Sequence, residues 1–272
     1  MHDDAPGPPA GTPAKIDTSV PHSARICNYW LGGKDHYEVD RAAGERYREI
    51  FPDIVVLARQ SRYFLARAVR YLVREAGIRQ FLDIGTGLPT VDNTHEVAQR
   101  AAPESRVVYV DNDPLVLAHA RALLTSTVEG ATAYVDADLR EPEKILREAA
   151  RTLDLARPVA VLLVGILGHI DDDAEARPIV SRLLAGVPSG SYLVIAAGTT
   201  AVSAAMSQAQ REYNDSGAAP YHLRSQEQIE RFFDGLELVE PGVVSSWLWR
   251  PEVEPISPPP NVGHVCGVGR KS

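Results

Sequence analysis

Cysteine is nearly missing: Cys27 and Cys266 stand at opposite ends of a 272-residue chain. That excludes a disulfide framework and a cysteine metal cluster, and it fits a reducing, cytoplasmic setting. Basic residues are outnumbered, 28 Lys and Arg against 36 Asp and Glu, leaving a net charge of −8. Nucleic-acid binders usually carry a basic patch or stripe, so no nucleic-acid partner is expected. Long apolar runs are missing too. The longest, 159–170, suits a buried strand plus its exit and falls short of the roughly 20 residues that cross a bilayer, so no membrane partner is expected. Residues 1–20 lack the basic start and apolar core of a secretory signal; rich in Pro, Ala and Gly, they read as a disordered leader.

What is present is organised around QFLDIGTGLPT, residues 80–90. A short apolar strand ends at Asp83 and Ile84 and runs into a turn through Gly85, Thr86 and Gly87. Glycine lacks a Cβ and tolerates positive φ, so backbone can come close to a ligand there. The ligand could be a nucleotide or S-adenosylmethionine. A dinucleotide fingerprint wants a third glycine to let the helix approach the strand; Pro89 and Thr90 stand in that region instead. A carboxylate at Asp83 would repel a pyrophosphate, yet it suits a ligand carrying an ammonium and a sulfonium.

The flanking pattern gives the architecture. Helical signals fill 21–77: a short helix over 23–31 closed by Gly32 and Gly33, a second opening at Asp35 with Glu38 at capping-box spacing, and a long third over 53–76. In the third, Leu57, Ser61, Phe64, Leu65, Ala68 and Leu72 form one buried stripe. From residue 78 onward, strands and helices alternate. Strands are expected at 80–84, 106–110, 131–135, 158–164 and 191–196, with 236–239, 243–249 and 264–268 following two more helices. The reading is an α/β fold: a doubly wound, mostly parallel, Rossmann-like sheet over 78–272, closed by an antiparallel C-terminal strand pair and preceded by an N-terminal helical cap or lid.

Ligands of such sheets lie across the carboxyl ends of the strands, at the switch in strand order. That rim carries Asp83, Asp111 with Asn112, Asp138 with Leu139, and Gly165. Asp111 is placed to accept from both hydroxyls of a ribose, and Asp138 from an adenine amino group beside the Leu139 amide. Both acids have a helix N-cap as their alternative role; after the second strand Asp113 before Pro114 already fills it, whereas Asp138 reads equally as a cap.

The segments FLDIGTGLPT, VVYVDNDP, DADLR and PVAVLLVGILGHIDDD, with PHSARICNYWLGGKDHYEVDR ahead of them, resemble an actinobacterial family of S-adenosylmethionine-dependent methyltransferases first catalogued as a domain of unknown function. The similarity spans 21–271. It implies the class I methyltransferase fold and S-adenosylmethionine as cofactor, with S-adenosylhomocysteine as product. By that resemblance Asp83 holds the methionine ammonium, Gly85 and Gly87 make room, Asp111 takes the ribose, and Asp138 with Leu139 takes the adenine.

Methyl transfer is an in-line displacement, so the protein mainly aligns an acceptor and needs a base only where the acceptor loses a proton. His169, just past the central strand, is the candidate base; a histidine there also serves simply to tie down a loop. The other histidines, His264 among them, read as surface or capping groups. Tyr29, Trp30 and Tyr37, with Lys34 and Asp35 in the glycine hinge, make either a lid or the buried faces of two short helices. Arg25 and Arg62 are candidates for a cofactor carboxylate or an acidic acceptor, or for surface ion pairs. Asp171–Asp173 reads as a solvated helix start, and Trp247 and Trp249 as core or edge packing on a late strand. The function expected is methyl transfer to a small-molecule acceptor. A non-catalytic sensor binding the same cofactor is the alternative, and a nicotinamide-dependent oxidoreductase is disfavoured by Asp83 and the missing glycine.

Overall fold

The computed structural model describes residues 16–123, 125–200, 203–253 and 262–272. Most of the expected leader and the proline-rich stretch 255–260 lie outside these. Three helices come first: α1 (Ser23–Trp30), α2 (Glu38–Ile50) and α3 (Ile54–Arg74). The α/β unit follows as β1 (Gln80–Ile84), α4 (Thr94–Ala101), β2 (Arg106–Asp111), α5 (Pro114–Leu123), β3 (Ala131–Asp136), α6 (Pro142–Ala149), β4 (Ala160–Val164), α7 (Asp173–Ala185) and β5 (Tyr192–Gly198). The chain then forms α8 (Ala204–Asn214), α9 (Gln226–Glu230), β6 (Leu236–Leu238), β7 (Val244–Ser245) and β8 (His264–Lys271).

Strand order is β3-β2-β1-β4-β5-β8-β6, parallel through β5 and antiparallel at β8 and β6. This is the doubly wound sheet with its antiparallel closing pair. The order reverses between β1 and β4, which opens a crevice at their carboxyl ends. Side chains alternate across the sheet with period two. Leu82, Ile84, Val108, Val161, Leu163 and Leu193 face α6 and α7, while Phe81, Val107, Ala160, Leu162 and Val194 face α3 and α4. Burial on both faces explains the near-uniform apolar strands. Among the described residues no helix is long and apolar enough to cross a membrane.

Several boundaries move from expectation, each for a local reason. The second helix starts at Glu38, because the Asp40 carboxylate accepts from the Tyr37 amide at 2.8 Å. Its other oxygen accepts from the His22 amide at 2.8 Å and so ties α1 to α2. The strand expected over 243–249 is only Val244–Ser245. Beyond it the chain turns and drops Trp249, 0% exposed, edge-on against Phe64 and Tyr71. The stripe of α3 also divides: Phe64, Leu65, Ala68 and Leu72 are core, whereas Leu57 and Ser61 line a cavity.

Asp113 does more than start α5. Its Oδ1 accepts from the Leu115 amide at 2.9 Å, and its carboxylate takes a bidentate pair from Arg25 at 3.1 and 3.0 Å. A third donation, Arg25 Nη1 to the Asp17 carbonyl at 2.6 Å, fastens the described end of the expected leader onto α1. Arg25 is 3% exposed and Asp113 1%. Removing one partner of a buried pair strands the other charge. Arg25→Met should therefore lower the unfolding free energy by roughly 3 kcal/mol, read from urea denaturation with an unchanged m-value.

Candidate active site

Asp83 is the penultimate residue of β1, and the turn after that strand meets the loop after β4 at the crevice. Gly85 has φ of +75°, and a Cβ there would stand 2.6 Å from the Ile166 side chain on the loop after β4. Gly87 and Gly165 also have positive φ, but no atom lies within 4 Å of where their Cβ would be. The first glycine lets the two loops meet; the other two leave open space at the crevice. α4 starts only at Thr94, behind a capping box formed by Asn93 and Glu96. Pro89 lies in the loop between turn and helix, so it interrupts no helical hydrogen bond where a dinucleotide fingerprint has glycine.

Asp83 and Asp111 are buried, Asp138 is half-buried, and all three are spoken for only in part. Asp83 is 5% exposed, and its Oδ2 accepts from Thr94 Oγ1 at 2.6 Å. Burial pushes its pKa up to about 6, against the pull of the Thr94 hydrogen bond and the Arg62 charge. Asp111 accepts from the Gly87 amide and from the Asp113 amide, both at 2.9 Å, and burial raises its pKa as well. A carboxylate has about four lone-pair sites, so Asp111 retains acceptor capacity toward the crevice. Asp138 accepts from the Arg140 amide at 2.8 Å and from Asn112 Nδ2 at 3.3 Å. The cap of α6 is Glu141, so Asp138 is not that helix's N-cap. Arg62 Nε is buried with no partner.

A continuous cavity of about 440 Å³ joins these groups to the N-terminal helices. Asp83, Gly85, Thr86, Gly87, Asp111, Asn112, Asp138, Leu139, Gly165, His169 and Arg62 all line it. Arg25, Tyr29, Lys34 and Asp35 do not. Arg25 is held by Asp113, and the Tyr29 hydroxyl donates to Glu45. Around Gly33 the hinge is packed tightly, since a Cβ there would meet Asn28 at 2.3 Å. Of the three N-terminal aromatics only Trp30 reaches the cavity; Tyr37 lies under the Arg25 guanidinium.

His169 sits on a short turn after β4 that other residues pin in place. Arg224, 4% exposed, donates to the Leu167 and Ile170 carbonyls at 2.8 and 2.6 Å and to Asp173 at 2.6 Å. The acidic run is thus not simply solvated: Asp172 caps α7 and Asp173 anchors Arg224. His169 Nδ1 lies 2.8 Å from the Pro220 carbonyl, and burial lowers its pKa below the usual histidine value. A carbonyl only accepts, so the neutral ring carries its proton on Nδ1 and leaves the Nε2 lone pair free.

Sequence reasoning overlooked the inner wall. Cys27, Tyr47, Met206, Gln210, Tyr213, Tyr221 and His264 line the cavity from elements distant in the chain. His264, read as surface or capping, is 2% exposed, and His95 is likewise buried against the Tyr109 hydroxyl at 2.8 Å. Only folding brings these segments together; α2 and α8 each carry a single tyrosine, Tyr47 and Tyr213, and nothing in their local pattern marks them as one wall.

A doubly wound sheet with acidic groups and glycines at its switch point, and with a helical cover, defines a class I methyltransferase. The chain is a member of the S-adenosyl methyltransferase family, whose model matches residues 9–272. It is similar over 95% of its length, at 47% identity and a TM-score of 0.90, to the whole of a DUF574 family protein from Streptomyces avermitilis. A Thermobifida fusca protein described as a candidate methyltransferase matches at 41% identity and a TM-score of 0.87, covering 97% of this chain and 99% of that one. No curated protein matches the chain.

Positive φ alone costs Gly85→Ala and Gly87→Ala about 1 kcal/mol each, whereas the Ile166 contact burdens only the first. Gly85→Ala should lower Tm further than Gly87→Ala, and adding Ile166→Ala should recover that difference alone. Equal losses would remove the steric argument.

Proposed function

We propose that this methyltransferase passes a methyl group from S-adenosylmethionine to a small-molecule acceptor held at the inner end of the cavity. The supporting observation is the cavity's two-part lining, carboxylates and glycines at the sheet rim and aromatic side chains beneath the N-terminal helices. Its volume of about 440 Å³ falls within the roughly 300–1,000 Å³ typical of small-ligand sites.

In this reading Asp83 accepts from the methionine ammonium, and the unpartnered Arg62 Nε serves the carboxylate. Asp111 holds the ribose through its remaining lone pairs, Asp138 and the Leu139 amide meet the adenine, and Gly87 and Gly165 leave the space. Thr86 and Asn112 border the same ligand. S-adenosylmethionine supplies, when bound, a methyl group on a positive sulfur that leaves as a neutral thioether. The acceptor's lone pair would form the new bond to carbon, and the sulfur would keep the old bonding pair. His169 Nε2 takes the acceptor's proton, and the cavity walls align the reactants and exclude water. A cytoplasmic setting belongs to the same proposal and agrees with two free cysteines.

An ammonium is attracted by the ionised form of Asp83, whose pKa in the ligand-free protein is about 6. Binding should therefore release protons, and S-adenosylhomocysteine affinity should rise from about pH 5 to about pH 7.5. Calorimetry in buffers of different ionisation heat reads both effects. Asp83→Asn should flatten the pH dependence and weaken binding roughly tenfold or more; a pH-dependence that survives the substitution would sink the assignment.

For His169 the expected outcome is different. With an acceptor that turns over, His169→Asn should cut kcat by roughly 10²–10⁴ and leave S-adenosylhomocysteine affinity unchanged. The acid limb of the wild-type rate profile should fall below the ordinary histidine range, as its lowered pKa requires. An undiminished kcat would return His169 to a loop-tethering role.

A further inference from the structure

The cavity changes character along its length. Its charged lining residues, Arg62, Asp83, Asp111, Asp138 and Arg140, come from α3 and the sheet rim. The inner lobe is walled by Trp30, Tyr47, Met206, Tyr213, Tyr221 and Leu223, from α1, α2, α8 and the segment after α8. Burial keeps the Tyr47 and Tyr213 hydroxyls far above the ordinary tyrosine pKa, so this wall carries no charge.

Two buried polar side chains interrupt that wall, and of these Gln210 is already bonded to Tyr47 and Asn214. His264, the first residue of β8, is 2% exposed, lines the cavity, and its Nδ1 has no hydrogen-bond partner. Its strand partner across β5 and β8 is Gly198, where a Cβ would stand 2.8 Å from Leu223 and 3.4 Å from Met206. The Gly198 amide donates to the Tyr221 hydroxyl at 3.4 Å, and the Tyr221 ring packs edge-on to His169 at 5.2 Å. The lobe thus runs between His169 and His264, with Tyr221 joining the two.

An unpartnered buried polar atom is a standing cost that proteins keep where a bound group can satisfy it. Burial holds His264 neutral down to about pH 4, so its imidazole carries one donor and one acceptor. A charged substituent entering this lobe would lose its hydration, and among the described residues that wall it no side chain offers an opposite charge.

Resting on the methyltransferase reading above, we propose that the acceptor is an uncharged, ring-bearing small molecule, packed among the lobe's aromatic side chains and hydrogen-bonded through a hydroxyl or N–H group to His264. The rings of Trp30, Tyr47, Tyr213 and Tyr221 offer edges and faces to a flat partner. His264 acts as the acceptor-binding residue and His169 stands at the reacting end.

The test uses the full chain, with and without saturating S-adenosylhomocysteine, titrated with naphthol, naphthoate and naphthylmethylammonium. These probes share one ring system and differ in charge. Naphthol should bind saturably, and each charged probe should bind at least about tenfold more weakly. His264→Leu should weaken naphthol roughly tenfold while S-adenosylhomocysteine affinity stays as in wild type. Leu223→Trp, which fills the lobe at a half-buried position, should remove naphthol binding and spare the cofactor. Failure of naphthol to bind a chain that binds S-adenosylhomocysteine overturns the proposal, as do equal affinities for the three probes or an unchanged naphthol affinity in His264→Leu. Absence of S-adenosylhomocysteine binding overturns the methyltransferase reading instead, and the titrations without it still decide the chemistry of the lobe.

Discussion

The site depends on how closely the loops after β1 and β4 can approach each other. Between these two strands the winding of the sheet reverses, and the crevice that results is only as deep as the loops allow. At Gly85 the gap is closed to the point where even a methyl group would strike Ile166. That contact sets the floor of the crevice, and the open space at Gly87 and Gly165 sets its mouth. Asp83, Asp111 and Asp138 follow because each lies at or near the carboxyl end of a parallel strand of the same sheet.

Burial then gives these acids their chemistry. Asp83 and Asp111 are buried, and burial outweighs the neighbouring charges and hydrogen bonds, so each is harder to ionise than a free carboxyl group. Such a pair repels phosphates and favours a ligand bringing positive charge, the property that separates a sulfonium cofactor from a dinucleotide. The same reasoning, applied in reverse to the inner lobe, underlies the proposal of an uncharged partner: its described walls carry no charged side chain and His264 is neutral.

Much of this was legible because it is local. Near-continuous apolar runs bounded by acids and glycines mark the parallel strands, and β1, β2 and β4 appear close to where the pattern puts them. The Gly-x-Gly turn, the acid before it and the acid ending β2 are readable for the same reason: strand ends of one parallel sheet share one rim. Where expectation and structure part, long-range contacts decide. Asp40 sets the start of α2 through a bond to the His22 amide, and Trp249 leaves its strand to fill a hole beside Phe64. Arg25 looked free to meet a ligand, yet its partner Asp113 lies far along the chain.

The sequence by itself determined the sheet, its winding and the acidic, glycine-bearing rim, since these follow from hydrophobic period, turn chemistry and the fixed geometry of parallel strands. Only the tertiary structure decided what stands opposite that rim. Cys27, Tyr47, Tyr213 and His264 carry no common spacing, and they become one wall because α1, α2, α8 and β8 converge on the crevice. Whether a histidine is a solvent-facing side chain or an unpartnered imidazole in a cavity depends on what packs over it, and that is fixed by contacts between segments that local pattern cannot see.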